Sequence, residues 1–502
     1  MHDLKAVYIA NLTRARGNPA IFTQSRVLSG DLQASAGATP AEPTKFSTAP
    51  QGAKPSILSQ GIFLHSASSP TAVLASPGLA APQRRYRVLS VAARPVQYAS
   101  SNFREMACHP RFDFSVAYCS LQGAEAAHDP EFGRTVQWDV PLLDGYTWIQ
   151  VPNRGDGEDS FWGLCNPSLW KIIRGGNLDA IICLTGYRRA SFWITFFAAR
   201  SRGIPFIFGT DASTIAPRES GAWRLFLKRK AWPLLFRLAT QVLVVSTPGR
   251  EMMLSLGVKP ERIALLHNTV DNAWWLAASD AVDRAAVRAS WGVDADERVI
   301  VFCAKIQQWK RPLDLLHAFA KAAIPKSSLI IAGEGPLRAQ MESEAATLGV
   351  TNRVRFLGFV NQSQLPGIYA SSDLMVLPSE YEPFAMVVNE AMLCGCPVAV
   401  SDRVGAAKDL VAPVAPDFIF PHGNVMALTD TLRHAFSDPV RLKSLRAAAR
   451  ARMESWSPRE NVAGALAAIE RVYANKRGVP LAPLAATSVD HADSIGSQQA
   501  SE

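Results

Sequence analysis

No apolar run in this 502-residue chain is long enough to cross a bilayer. The densest, residues 191–199, is about half of the roughly 20 residues a membrane-spanning helix needs. Residues 55–83 carry no Asp, Glu, Lys or Arg, but Pro, Ser and Gly interrupt them, and no cleavable signal pattern opens the chain. The expected compartment is the cytoplasm. The paired cysteines of a structural zinc site are lacking too. Of seven cysteines only Cys394 and Cys396 stand close together, with no second pair and no nearby His, and an odd number scattered in this way reads as buried, reduced thiols. Acids are fewer than bases, 43 against 52, for a formal net charge of +9. That balance points to an anionic partner such as a phosphorylated substrate, nucleic acid or a membrane surface. Residues 1–84 lack any sustained apolar period and are more than half Ala, Ser, Thr, Pro and Gly, and residues 475–502 look similar. Such segments bury too little apolar area to offset their ordering entropy, so both are expected to be disordered and to be trimmed by limited proteolysis.

What remains is about 390 residues, enough for two domains of ordinary size, and the 48% apolar content is that of a globular protein. From residue 85 onward short apolar or β-branched runs alternate with helical stretches. Strands are expected at 88–92, 114–118, 180–184, 206–208 and 242–245, with helices at 102–108, 191–202 and 223–239 between them. The second half repeats this grammar, with strands at 299–303, 329–332, 354–357, 374–377 and 398–400 and helices at 312–323, up to 348, 364–370 and 385–393. Strands separated by helices imply right-handed crossovers and a parallel sheet covered on both faces. The expected fold is therefore α/β, two facing Rossmann-like doubly wound domains with a cleft between them. Their expected extents are 85–275 and 276–456, with 457–474 crossing back onto the first domain. Ligands of such sheets sit at the carboxyl ends of the strands.

One constellation lies at such a strand end: Ser379-Glu380-Tyr381-Glu382-Pro383-Phe384-Ala385, then Glu390-Ala391-Met392, then Gly395-Cys396-Pro397-Val398. The helix after this loop aims its first N–H groups, expected from Phe384 to Val387, into the cleft, where they suit a phosphate. Glu382 and Glu390 are too far apart along the chain to share one proton or metal, and suit different parts of an extended ligand, Glu390 a pair of ribose hydroxyls and Glu382 a sugar beyond the phosphates. Taken alone, two acids at this spacing are most often surface or capping residues. A second feature is the stretch 218–237, with Arg218, Arg224, Lys228, Arg229, Lys230 and Arg237 against the single acid Glu219, interleaved with Trp223, Phe226, Trp232 and Phe236. It reads either as an interfacial helix or as a solvated helix whose apolar face is core.

The E-x7-E loop, the Glu-Ala-Met run and Gly-x-Pro-Val entering the next strand resemble the signature of family 4 of the retaining glycosyltransferases. The resemblance extends to Phe302-Cys303-Ala304-Lys305 with Lys310-Arg311-Pro312, to Ala332-Gly333-Glu334-Gly335-Pro336, and to Val354-Arg355-Phe356-Leu357-Gly358. Together these span residues 299–410. It implies the GT-B architecture and transfer of a sugar from a UDP- or GDP-sugar to a saccharide or lipid-linked acceptor. Lys305 and Lys310 are then implied to bind the donor diphosphate, Glu382 the sugar and Glu390 the ribose, with further donor contacts at Phe384, Ala385, Met386, Gly333, Glu334, Gly335 and Phe359. In the first half, Arg94-Pro95-Val96-Gln97-Tyr98 with Phe103-Arg104-Glu105, and Trp138-Asp139-Val140-Pro141-Leu142-Leu143-Asp144-Gly145-Tyr146, look like a bacterial branch whose members commonly act in surface polysaccharide or lipopolysaccharide assembly. Gln97, expected in the loop after the first strand, either contacts sugar or phosphate or caps a helix; Asp211 either orients an acceptor hydroxyl or caps the next turn.

The chain departs from the family at Lys305, where Arg is usual, at Ala304, where Gly is usual, at Gly405, the one glycine of a turn that commonly has two, and near Thr210-Asp211, where a His is often found. Acid pairs that hold a metal belong to the other large transferase fold, and the nearest imitation, Asp156-Gly157-Glu158-Asp159, follows no strand and reads as a solvated turn. No cofactor or metal is therefore expected, and no nucleic acid partner. A lipid-linked acceptor would give 218–237 a peripheral place on the inner face of the cell membrane. A non-catalytic nucleotide-sugar-binding or scaffold relative is the alternative function, and a nucleotide-sugar epimerase a third.

Overall fold

The computed structural model describes residues 84–125, 127–129, 134–216 and 222–477, all within one compact unit, Leu79–Glu502. The disorder expected at 1–84 and 475–502 lies outside the described residues except at Arg84 and residues 475–477, and the last three are helical.

Two parallel sheets carry the molecule. The first is built from β1 (Tyr86–Ala92), β2 (Phe112–Tyr118), β5 (Thr147–Gln150), β6 (Ala180–Cys183), β7 (Phe206–Thr210), β8 (Gln241–Val244) and β9 (Ile263–Leu265), in the order β5-β2-β1-β6-β7-β8-β9. A small antiparallel pair, β3 (Ala127–Asp129) and β4 (Arg134–Val136), stands between β2 and β5 in the chain. The second sheet comprises β10 (Arg298–Cys303), β11 (Ser327–Ala332), β12 (Val354–Gly358), β13 (Leu374–Leu377), β14 (Val398–Ser401) and β15 (Ile419–Phe420), ordered β12-β11-β10-β13-β14-β15. Strand order reverses at β1/β6 in one sheet and at β10/β13 in the other, and each reversal opens a crevice above the carboxyl ends. Every residue of β6, β11 and β13 is buried, as strands covered on both faces must be. This is the doubly wound α/β architecture that the alternation of runs predicts.

The helices that matter here are α1 (Gln97–Cys108), α2 (Ser168–Gly175), α3 (Ala190–Ser201), α4 (Ala222–Leu238), α5 (Thr247–Ser255), α6 (Asn272–Asp280), α7 (Arg284–Ser290), α8 (Pro312–Ala322), α9 (Arg338–Thr347), α10 (Leu365–Ser371), α11 (Met386–Leu393), α12 (Val425–Ser437), α13 (Pro439–Glu454) and α14 (Pro458–Arg477). Pro312 opens α8, where its missing N–H costs nothing. The expected domain division at 275/276 falls inside α6. Val270 and the fully buried Trp275 belong to the hydrophobic core of the second sheet, so α6 goes with the second domain. From there the chain returns through α14, whose Val462, Ala465, Ala468 and Ile469 pack into the core shared by β1 and β2. That helix continues to Arg477, past the expected end at 474, because Tyr473 donates to the Asp179 backbone O at 2.8 Å and the Arg84 guanidinium lies 4.3 Å from the Tyr473 ring.

All seven cysteines are free thiols. Five are buried, but Cys108 is exposed and Cys165 half-buried, against the expectation of uniform burial. Burial pushes the Cys119 thiol up to about 11 and Cys303 to about 12, so both stay protonated. Among the described residues no helix is long and apolar enough to cross a membrane.

Candidate active site

The β10/β13 crevice is shaped first by its glycines. Gly333 has φ +153° and a Cβ there would stand 2.0 Å from the Ala304 carbonyl O; Gly335 has φ +157° and its Cβ would stand 2.4 Å from the Ile306 O. No other residue fits either place. The turn thus lets the loop after β11 lie against the loop after β10, tied by Ile306 N to Glu334 O at 2.8 Å and Ala304 N to Ala332 O at 3.2 Å. Gly333 reaches the cavity wall together with Ala304 and Lys305. Glu334 and Gly335 do not line the cavity. The Glu334 carboxylate is taken by Arg338 one turn on.

The loop after β13 is held from several sides. Glu380 N donates to Trp309 O at 2.8 Å, Glu382 N to Arg403 O at 3.1 Å, and Gly405 N to Glu382 O at 3.0 Å. A Cβ on Gly405 would stand 2.1 Å from the Pro383 O, so this one glycine suffices to let the turn after β14 close on the loop. The Glu382 carboxylate accepts from Ser379 Oγ at 2.8 Å and forms a direct ion pair with Lys310. Neither Glu382 nor Lys310 lines the cavity. The Phe384 side chain does not reach the cavity: its ring is buried and stacks on Trp456, with centroids 5.8 Å apart and planes within 9°. Ala385 takes the left-handed conformation, φ 87°, so α11 starts at Met386, one residue after the start expected at 385, and Ala385 too stands off the cavity.

Met386 and Glu390 face the cavity from α11. Tyr369 on α10 donates its hydroxyl to Glu390 Oε2 at 3.0 Å. Burial pushes the Glu390 carboxyl up to about 7, with the Tyr369 hydrogen bond pulling the other way. The cavity measures about 580 Å³ and is walled by both domains. Gln97, Arg104 and Trp138 contribute from the first, Lys305, Gly333, Phe359 and Glu390 from the second. Gln97 is not in a loop: Val96 is extended and Gln97 is the first residue of α1. Arg104 spans the cleft to Asp271 at 3.2 Å.

A second cavity, about 430 Å³, occupies the β1/β6 crevice and is lined by Arg94, Asn102, Tyr187, Asp211 and Asn268 among others. Tyr98 lines both cavities, so the two are neighbours. Asp211 sits exposed on the loop after β7, and the local turn there is closed by Thr210 Oγ1, which accepts from Ala212 N at 3.2 Å; Asp211 does not cap it. The Asp156–Asp159 loop turns on itself through Glu158 N to Asp156 Oδ1 and pairs Asp159 with Arg189. Among the described residues no three His, Cys, Asp or Glu side chains gather as metal ligands do.

Of the residues singled out in the sequence, the structure brings Lys305, Gly333, Phe359, Met386, Glu390 and Gln97 to one cavity and Asp211 to the other. Tyr369 was not legible, since a Tyr in a short apolar helix reads as core. Arg104 and Trp138 stood inside motifs but carried no chemical signal of their own.

Residues 115–274 match the family model for glycosyltransferase family 4, and residues 283–452 the model for glycosyl transferases group 1. An uncharacterized glycosyltransferase of Methanocaldococcus jannaschii is 34% identical over 184 residues, 36% of this chain and 47% of that protein, so the chain spans about half the length of such curated relatives. Among solved structures, the Anabaena protein HepE in complex with UDP and glucose superposes with a TM-score of 0.57 at 18% identity, over 79% of this chain and 100% of that one. The lipopolysaccharide outer core galactosyltransferase WaaB gives 0.54 at 14% identity, over 76% and 99%. At these identities the two structures speak for the GT-B fold alone. With a doubly wound domain matching each family model in turn and a cavity at the switch point of the second, the chain belongs to the glycosyl transferases group 1 family.

Proposed function

We propose that the protein is a retaining glycosyltransferase that moves a sugar from a UDP- or GDP-linked donor to a saccharide or lipid-linked acceptor, in bacterial surface polysaccharide or lipopolysaccharide assembly. The observation that carries this reading is the placement of Glu390, Lys305 and the start of α11 on one cavity that shares Tyr98 with a second cavity in the facing domain. The UDP named in the HepE structure and the lipopolysaccharide chemistry named for WaaB support the donor and the pathway. In this scheme Glu390 accepts two ribose hydroxyls. Lys305, Lys310 and the first N–H groups of α11 stabilise the departing diphosphate, as preorganised donors aimed at developing charge do, and no metal enters the scheme. Glu382 positions the donor sugar, and Gln97 and Asp211 face the acceptor. The bond from the anomeric carbon to the phosphate oxygen breaks while the acceptor oxygen bonds the same face, and the leaving phosphate takes the acceptor's proton.

One observation favours a second reading, a nucleotide-sugar binder without turnover: Lys310 and Glu382 neutralise each other off the cavity wall. Release of UDP or GDP over a panel of donor sugars, with Glu382→Ala as control, separates the two. Failure of any nucleotide to raise the unfolding temperature would remove both. For a lipid-linked acceptor, α4 is the surface we assign to an anionic membrane, because it leaves Trp223, Phe226 and Leu234 exposed beside Arg229 and Lys230.

A further inference from the structure

Residues 137–145 form a strap along the wall of the larger cavity, which Trp138, Val140, Pro141, Asp144 and Gly145 line. At its base the strap is fastened to the first domain, where Ser100 Oγ donates to the Leu142 backbone O at 2.7 Å and Tyr146 Oη to the same oxygen at 2.5 Å. Its tip reaches the second domain. Asn361 Nδ2 donates to the Gln137 backbone O at 2.9 Å, and Ser363 N donates to the two Asp139 carboxylate oxygens at 3.2 and 3.3 Å, joined by the Ser363 hydroxyl. Between these ties the Trp138 indole meets Phe359, with ring centroids 6.4 Å apart and planes at 46°. All three partners lie on the loop after β12, the edge strand of its sheet.

The sheet order grades the cavity. Near β10 and α11 its wall offers Lys305 and Glu390; at the β12 edge it offers Phe359, Val360 and Leu365, faced by Trp138 on the strap. A diphosphate and ribose belong at the charged end, and a planar, weakly polar heterocycle belongs against the aromatic end. We propose that the strap is part of the nucleotide site: Trp138, from the first domain, stacks on the base of the nucleoside diphosphate, and Asp139 holds the strap shut over it. Trp138 is then a binding residue and Asp139 a positioning residue, and nucleotide bound to one domain draws the other onto itself. This rests on the nucleotide-sugar reading above.

Calorimetric titration of UDP and GDP into the full chain tests it, with pyrophosphate as a base-free probe. Trp138→Ala should weaken the preferred nucleotide about tenfold, the effect expected for losing one base–aromatic stack, and leave pyrophosphate binding unchanged, while Trp138→Phe stays within about twofold of the parent. Asp139→Asn should weaken the nucleotide in the same direction and serves as the test if Trp138→Ala does not fold, which thermal unfolding without ligand reveals. If Trp138→Ala binds nucleotide as tightly as the parent while Glu390→Ala loses it, the strap has no part in binding and the nucleotide reading stands. Equal losses for nucleotide and pyrophosphate would make Trp138 merely structural and overturn the proposal. A parent protein that binds neither nucleotide overturns the reading and the strap together.

Discussion

Glu390 carries a charge that depends on what fills the cavity. Its folded-state carboxyl titrates near 7, above the ordinary 4.5, because burial disfavours the ion. Between those values the unfolded chain has released the proton and the folded chain has not, so this group's contribution to stability is full below 4.5 and is lost as pH rises through about 7. Ribose hydroxyls donating to the carboxylate would favour the ion. Nucleotide binding is therefore expected to release a proton near pH 6, and affinity to rise with pH up to about 7. Titration calorimetry in buffers of different ionisation enthalpy measures this; binding with no proton release would separate Glu390 from the ribose. Kinetically, Glu390→Ala should raise the donor KM roughly tenfold, the scale of a lost charged hydrogen bond. Glu382→Ala should instead lower kcat by roughly a hundredfold, as expected for a contact that strengthens in the transition state. The opposite pattern would exchange their roles.

Two elements make predictions of their own. Helix α4 buries Trp232, Leu235 and Phe236 yet leaves Trp223 at 68%, Leu234 at 62% and Phe226 at 54% exposed. We propose that this outer apolar surface, beside Arg229 and Lys230, is the membrane-docking face. Binding to anionic vesicles should weaken from low to high salt, and reversing Lys228, Arg229 and Lys230 to Glu should abolish most of it, at about 1 kcal/mol per cation near the surface. Co-sedimentation measures it, and binding indifferent to both changes would return α4 to a core role. The turn after β11 is the other element. Gly333→Ala places a methyl 2.0 Å from a backbone oxygen that cannot retreat. It should cost at least about 2 kcal/mol, read as a lower unfolding temperature. Most elements were legible because interior parallel strands are unbroken apolar runs. β3, β4, β5, β9 and β15 were not: β5 is largely exposed, with the pattern of no buried face, β3, β4 and β9 have only three residues each, and β15 has two.

At the scale of the molecule, the two chain crossings between domains are laced together. Trp456 Nε1 donates to Asn268 O at 2.9 Å, Asn461 Nδ2 to His267 O at 2.7 Å, and Asn272 Nδ2 to Met453 O at 3.0 Å. Any rotation of one domain on the other pivots here. Trp456→Ala removes a buried indole shared by both crossings and should cost about 3–5 kcal/mol, and should move kcat and KM together, as hinge changes do. Denaturant titration and steady-state kinetics measure the two effects. His267, packed edge-on against Trp456 at 4.2 Å, is pushed down to about 4 by burial from an ordinary 6.5. Its contribution is full above 6.5 and is lost as pH falls towards 4, opposite in sign to that of Glu390. The Trp456→Ala cavity admits water to the ring and should flatten this acid limb.

The amino-acid sequence by itself determined the doubly wound architecture and the loop and helix that bear Glu382 and Glu390. Both are written in short-range patterns: contiguous apolar runs separated by helical stretches, and a motif that spans the 20 residues from Ser379 to Val398. Tertiary structure alone decided which of those residues meet the cavity. Lys310 and Glu382, 72 positions apart, close on each other, Phe384 turns into the core against Trp456, and Trp138 crosses the cleft to Phe359. An aromatic ring or a carboxylate has the same local signal whether it packs in a core, pairs with a cation or walls a cavity. What separates the three is the group that arrives opposite it from a distant part of the chain.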